Sequence, residues 1–127
     1  MFSHVMVGVN DLEVAKKFYD AVLATLGIGP GVINQGTRYF YRSPAGSFGI
    51  AKPLNAQPAT PANGGTIGFL AKSTEEVLAF HAAGEANGGQ SCEDPPGLRE
   101  GAGGKMFLAY LKDPDGNKIC ALYRVPK

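Results

Sequence analysis

The stretch SHVMVGVNDLEVAKKFYDAVLATLG, Ser3–Gly27, decides the fold because its plan returns 62 residues later as GTIGFLAKSTEEVLAFHAAGEANGG, Gly65–Gly89. Each copy opens with an alternating run that predicts a strand and continues into an apolar stripe at helical spacing. A side chain suited to an N-cap precedes each stripe, Asp11 in the first copy and Ser73 in the second. The repeat therefore predicts two copies of one structural unit.

Three short runs rich in β-branched and aromatic residues follow each helix, so each copy reads as a βαβββ module. The segment PLNAQPATPANGG, Pro53–Gly65, holds three prolines and three asparagine or glutamine side chains, which suit a connector. We expect an α+β fold and one domain over residues 1–127, with module 1 at 1–53, the connector at 54–64 and module 2 at 65–127. Neither module alone has enough apolar surface to form a core, so the two should pack together.

The composition favours a small-molecule partner. The chain has 127 residues, 44% of them hydrophobic, and a net charge of +1 without a basic stripe. Binding to nucleic acid or to an anionic membrane has no evident electrostatic source. No run of residues is long and apolar enough to span a bilayer or to act as a secretory signal, so the cytoplasm is the expected location. Two cysteines without C-x-x-C spacing are expected to be reduced thiols there.

Three features together resemble the glyoxalase / bleomycin-resistance / extradiol dioxygenase group, the vicinal oxygen chelate superfamily. They are His4 in the first strand, DLEVAKKFYDAVLATLG after it, and YLKDPDGNKICAL near the C-terminus. The resemblance covers essentially the whole chain. It implies one curved, mixed eight-stranded sheet with helices on the outer face and a concave cleft. It does not imply one activity, because this fold hosts lyases, isomerases, dioxygenases, thiol transferases and non-catalytic drug binders.

In superfamily members with a metal, four side chains reach into the cleft, one from the first and one from the fourth strand of each module. Matched to this sequence, the four positions fall on His4, Ile50, Thr66 and Cys120. A catalytic metal needs about three imidazole or carboxylate ligands, and only His4 is of that type. We therefore expect no metal ligands and no cofactor. The disfavoured alternative is a divalent metal held by His4 and Cys120 and completed by Glu93 or by a dimer partner.

His4 faces the predicted cleft, because strand alternation places it opposite Val5 and Val7. It is either a general base or hydrogen-bond donor for a ligand, or a hydrogen-bonded cleft wall without a catalytic role. Cys120 is a nucleophile only if a neighbour such as His4 or Lys118 acidifies its thiol. Otherwise it is a small hydrophobic residue of the strand.

The segment GGQSCEDPPGLREGAGGK, residues 88–105, reads as a loop over the cleft in which Cys92, Glu93 and Arg99 could contact a polar ligand. A second group of candidates lies in one predicted strand. Alternation there sends either Arg38 and Arg42 or Tyr39 and Tyr41 toward the ligand. The sequence leaves this register open.

Two functions from different classes fit these observations. The first is a glyoxalase-like enzyme, a lyase or isomerase without the usual metal site, acting on a small polar or thiol-conjugated metabolite. Its catalytic candidates are His4, Glu93 and Cys120, and its substrate-binding candidates are His4, Ile50, Thr66, Cys92, Arg99 and Cys120. The alternative is a non-catalytic protein that sequesters a drug or toxin. A homodimer is expected in either case, because sheet edges would otherwise stay open.

Overall fold

The structure is a computed structural model that describes residues 1–127. Module 1 contains β1 (His4–Gly8), α1 (Leu12–Ala24), β2 (Val32–Asn34), β3 (Arg38–Ser43) and β4 (Gly46–Ala51). Module 2 contains β5 (Ile67–Leu70), α2 (Thr74–Ala86), β6 (Gln90–Ser91), β7 (Gly97–Gly101), β8 (Gly104–Lys112) and β9 (Lys118–Arg124). The α+β class and the two βαβββ modules are confirmed, with β7 as an additional strand in module 2. Neither helix is long and apolar enough to cross a membrane.

The two helices begin and end at equivalent residues of the repeat, because the local signals that bound them are duplicated. The Asp11 carboxylate accepts hydrogen bonds from the amides of Glu13 and Val14, and the Ser73 hydroxyl accepts one from the amide of Glu76. Each bond satisfies an amide that the first turn of a helix leaves free. The predicted N-caps are therefore present in both modules.

The strands form two hydrogen-bonded sheets. Sheet 1 has the order β1-β4-β3-β2, and sheet 2 has the order β5-β9-β8-β6, with β7 also paired to β8. β1 runs parallel to β4 and β5 runs parallel to β9, while the other pairs are antiparallel. β1 and β5 are both edge strands, so the expected continuous eight-stranded sheet is divided between them. At the end of β1 a side chain of module 2 bridges the two sheets: the Gly8 carbonyl accepts from the side-chain amide of Asn117.

One hydrophobic core of 17 buried residues draws side chains from both modules. Where the modules meet, the ring of the core residue Phe48 from module 1 contacts the ring of the partly buried Phe69 from module 2 edge to face, with centroids 5.2 Å apart. Phe69 in turn lies 6.1 Å from Phe80 of α2, so aromatic contacts run from one module to the other. The core thus lies between the helices and the two sheets.

The DPDGN turn between β8 and β9 joins the modules through hydrogen bonds. The buried carboxylate of Asp113 accepts from the Tyr19 hydroxyl at 2.6 Å and from amide groups of Asp115 and Asn117 at 2.9 Å. Asp115 accepts from the backbone and side-chain amides of Asn10. The motif that carried the resemblance is therefore a structural junction, and its two aspartates are occupied by contacts within the chain.

Candidate functional site

The strand registers define an open face, the face of each sheet that points away from the helices. In sheet 1, Met6 pairs with Gly49 and Gly49 with Phe40, whereas the neighbouring row contains the core residue Ile50. In sheet 2, Gly68 pairs with Cys120 and Cys120 with Tyr110. Cys120 is buried but does not belong to the core cluster, which agrees with its place on the open face.

This register resolves the alternative in β3. Arg38, Phe40 and Arg42 lie on the open face, and Arg42 stacks its guanidinium 4.7 Å from the centre of the Phe40 ring. Tyr39 and Tyr41 lie on the helix side, where their hydroxyls bond to Glu13 and Asp20 of α1. The arginines, and not the tyrosines, therefore lie on the open face.

The register also corrects the position matched to the fourth strand. Ile50, expected in the cleft, is 0% exposed and packs in the core on the helix side. The residue equivalent to Cys120 is Gly49, because Gly49 pairs with Met6 as Cys120 pairs with Gly68. Counting four residues from a turn glycine reaches an open-face residue in β9, Cys120, but in β4 it reaches Ile50, one residue away from the open-face position Gly49.

The first cavity, of about 590 Å³, lies beside sheet 2 under the end of the connector. Its walls come from three parts of the chain: the connector, the segment after β6, and the turn end of the β8–β9 hairpin. The lining residues are Pro61, Ala62, Asn63, Gly64, Gly65, Cys92, Glu93, Lys112, Gly116 and Lys118. The volume is in the range of pockets that hold small ligands.

Lys118 and Glu93 form an ion pair in this cavity. The Lys118 ammonium also lies 5.0 Å from the centre of the Tyr110 ring, a cation–π contact that orients it. The side chains remain 30% and 44% exposed, so a ligand can reach both charges. Glu93 has φ of +58°, in the left-handed region that non-glycine residues adopt at an energetic cost. The backbone is thus held in an unfavourable conformation at the residue that presents the carboxylate.

A second cavity, of about 280 Å³, adjoins the first and shares Ala62, Gly65 and Lys118 with it. Its other walls include Met6 and Gly8 of β1 and Thr66 next to β5. Lys118 therefore lies between the two cavities, at the point where modules and connector meet. An anion bound in either cavity can approach its ammonium group.

The predicted site residues separate into two groups. Cys92 and Glu93 line the first cavity, and Thr66 lines the second. His4 is exposed, has a hydrogen bond of 2.8 Å between its Nδ1 and the Ser3 hydroxyl, and lines neither cavity. Arg99 donates to the backbone carbonyls of Asp94 and Pro95, which holds the turn before β7.

Cys120 does not have the acidic thiol that the nucleophile interpretation required. Burial raises its pKa to about 11, and the nearby Lys118 opposes this shift only in part. The neutral thiol is a poor nucleophile. The geometry favours the alternative in which Cys120 is a small hydrophobic residue beside Gly68.

Sequence reasoning missed the connector and did not recognise Lys118 and Lys112 as lining residues. The segment 88–105 is also less of a loop than expected, since it contains β6, β7 and the turn into β8. Lys118 had one usable signal: it follows the DPDGN turn directly and stands two residues before Cys120, on the same face of its strand. Nothing in the connector's composition indicates which wall it forms.

The metal-ligand positions of the superfamily do not fit a metal in this chain. With the corrected register they fall on His4, Gly49, Thr66 and Cys120. Gly49 has no side chain and Thr66 offers only a neutral hydroxyl. No group of three or more His, Cys, Asp or Glu side chains is placed to hold a metal ion.

The fold agrees with comparisons to known proteins. Residues 1–121 match the model of the Glyoxalase/Bleomycin resistance protein/Dioxygenase superfamily, and the chain belongs to that superfamily. The crystal structure of a glyoxalase/bleomycin resistance protein from Albidiferax ferrireducens T118 is 73% identical, with a TM-score of 0.95 over 98% of this chain and 99% of that one. The comparison with curated proteins gave no match.

More distant structures share the fold. A glyoxalase-related enzyme from Fulvimarina pelagi is 19% identical, with a TM-score of 0.74 over 98% of this chain and 88% of that one. Lactoylglutathione lyase from Agrobacterium tumefaciens is 21% identical, with a TM-score of 0.65 over 97% of this chain and 92% of that one. At these identities the likeness extends to architecture alone.

Proposed function

We propose that the protein binds a small, negatively charged polar metabolite in the first cavity, with Lys118 as its main contact. The observation that carries this proposal is the accessible Lys118–Glu93 pair in the cavity of 590 Å³. Lys118 can exchange part of its interaction with Glu93 for a carboxylate or phosphate, and the Tyr110 ring keeps the ammonium in place. The backbone of Gly64 and Gly65 leaves room for close approach of the ligand.

The same pair can support lyase or isomerase chemistry on a small polar or thiol-conjugated metabolite. In this proposal Glu93 accepts the proton from a carbon next to a carbonyl, and Lys118 stabilises the negative charge that develops on the oxygen. The protonated Glu93 then returns the proton to the neighbouring carbon in an isomerase, or to the leaving group in a lyase. Membership of the superfamily supports this reaction class, since the superfamily contains lyases. His4 lies outside the two cavities, which makes Glu93 the stronger acid/base candidate.

Calorimetric titration with small carboxylates and phosphates tests the binding proposal. Lys118→Gln should weaken binding about tenfold or more, the usual effect of losing a charge-assisted hydrogen bond. Lys105→Gln is the matched control, because Lys105 forms a comparable pair with Glu100 at 3.8 Å outside both cavities. Equal affinity of the wild type and Lys118→Gln would refute the proposal.

Sequestration without chemistry is the second candidate function. It is favoured by exposed apolar side chains on the open face, among them Met6 and Leu70, the latter 71% exposed. Glu93→Gln separates the two functions, since it preserves the shape of the cavity and removes the proton acceptor. An enzyme should lose turnover and keep most of its ligand affinity in this variant, whereas a sequestering protein has no turnover to lose.

A further inference from the structure

The geometry points to an elongated dianion as the ligand, with one anionic group at Lys118 and the other at Arg38 and Lys52. This inference rests on the proposed function and extends it to the substrate class. It assigns a second anion subsite to module 1, in a third cavity of about 250 Å³. The ligand would lie across the boundary between the two modules.

The three cavities adjoin in a row. The first and second share Lys118, and the second and third share Met6, Val7 and Gly8 of β1. The third continues past β4 to Arg38, Lys52 and the start of the connector at Pro53. A ligand longer than one cavity can therefore extend along this row.

Arg38 indicates an anion-binding subsite in the third cavity, at the module 1 end of the row. Its Nε is the only buried side-chain nitrogen or oxygen in the chain without a hydrogen-bond partner. Arg38 also has no acidic side chain within ion-pair distance. A buried guanidinium nitrogen without a hydrogen-bond partner is unfavourable, and a carboxylate or phosphate bound there would satisfy it and compensate the charge of Arg38.

The charged side chains that line the three cavities are mostly positive, although the whole chain is nearly neutral. Arg38, Lys52, Lys112 and Lys118 line the three cavities, and Glu93 is the only acidic residue among the lining residues. Glu93 is already paired with Lys118, whereas the other three cations have no ion-pair partner. Cations at both ends of the row match a ligand with anionic groups at both ends.

The strand pairing gives the separation of the two subsites. Arg38 pairs with Ala51 and Ala51 with Gly8, so the backbone at Arg38 lies two strand spacings, roughly 10 Å, from Gly8. On the other side the Gly8 carbonyl accepts from Asn117, the neighbour of Lys118. The two cationic groups thus flank β1, and only a ligand with separated charges can contact both.

Calorimetry with linear dicarboxylates from succinate to sebacate, each beside the monocarboxylate of the same chain length, tests this inference at low ionic strength. We expect affinity to reach a maximum at one dicarboxylate length, about tenfold or more above that of its monocarboxylate. Arg38→Gln should remove this gain, whereas the part of monocarboxylate binding that depends on Lys118 should persist. Arg42→Gln is the control, because Arg42 lies on the same strand and face but lines none of the three cavities.

The outcomes distinguish the inference from the proposed function. Monocarboxylate binding that depends on Lys118, with no gain from a second carboxylate at any length, overturns the dianion inference and leaves the proposed function standing. Absence of Lys118-dependent binding to any of these anions overturns both. If Arg38→Gln does not fold, as judged by its thermal transition, Lys52→Gln tests the same gain, and full retention of the gain in that variant counts against the subsite.

Discussion

The two cysteines lie in one row across sheet 2 and differ in their surroundings. Cys120 pairs with Tyr110, and the amide of Cys92 donates to the carbonyl of Tyr110 from the other side. Two strand spacings, roughly 10 Å, therefore separate the cysteine backbones, beyond the reach of a disulfide. Cys120 is 5% exposed, whereas Cys92 is half-buried at the wall of the first cavity.

We predict that iodoacetamide modifies Cys92 much faster than Cys120 in the folded protein. With a pKa of about 11, Cys120 has only about one thiolate in a thousand molecules at pH 8, and it is buried as well. Raising the pH toward 11 should increase its rate. Peptide mass spectrometry over a time course measures both rates.

Protein unfolded in guanidinium chloride is the control, since both thiols should then react at similar rates. Equal rates in the folded protein would contradict the burial of Cys120 beside Gly68. They would also return Cys120 to consideration as a nucleophile.

At the scale of elements, the sequence repeat gives the two helices equivalent first and last residues. α1 and α2 have 13 residues each, and the N-cap side chains Asp11 and Ser73 occupy the same place in the two modules. The acceptors differ, since a carboxylate caps α1 and a hydroxyl caps α2. Both helices pack against the common core, so fraying of either helix at its N-cap should lower the free energy of unfolding of the whole fold.

Asp11→Ala and Ser73→Ala should each lower the free energy of unfolding by about 1 kcal/mol, because each removes an acceptor for amides of the first turn. Urea denaturation monitored by circular dichroism measures the change. Thr74→Ala is the control, since it alters the first residue of α2 without removing a cap. A loss in Thr74→Ala as large as in Ser73→Ala would mean that the cap is not the cause.

At the scale of the whole molecule, the open face is less well covered than the helix face. β1 and β5 are edge strands, and Met6 and Leu70 on them expose apolar side chains. Exposed apolar groups beside unpaired strand edges favour association. We propose that the chain forms a homodimer through this region.

Light scattering after size exclusion should give about twice the chain mass of 13.3 kDa. Leu70→Lys should shift the mass toward that of one chain, because a buried unpaired charge would oppose association. Leu78→Lys on α2, where the side chain is 48% exposed, is the control and should not change the mass. A wild-type protein that remains a single chain at all concentrations tested would rule out the dimer.

The sequence could predict what depends on local pattern. The helix bounds, the N-caps and the face of His4 and Met6 follow from signals within a few residues. The position of Ile50 could not be predicted, because the register of β4 is set by parallel pairing to β1 and a shift of one residue changes its face. The place of Lys118 in a cavity could not be predicted either, because the connector forms one wall of that cavity. The path of the connector is fixed by hydrogen bonds between Asn10 and Ala59, which are 49 residues apart in the sequence.

The bond between Tyr19 and Asp113 has a consequence for synthesis of the protein. Its acceptor follows its donor by 94 residues, so the Tyr19 hydroxyl has no native partner while module 1 leaves the ribosome. The ring of Phe48 likewise lacks its contact with Phe69 until that part of module 2 has been synthesised. A nascent chain that ends before the DPDGN turn therefore carries a module with an open apolar side, which a chaperone could bind. The native fold therefore closes only after the DPDGN turn has been synthesised, and not when module 1 is complete.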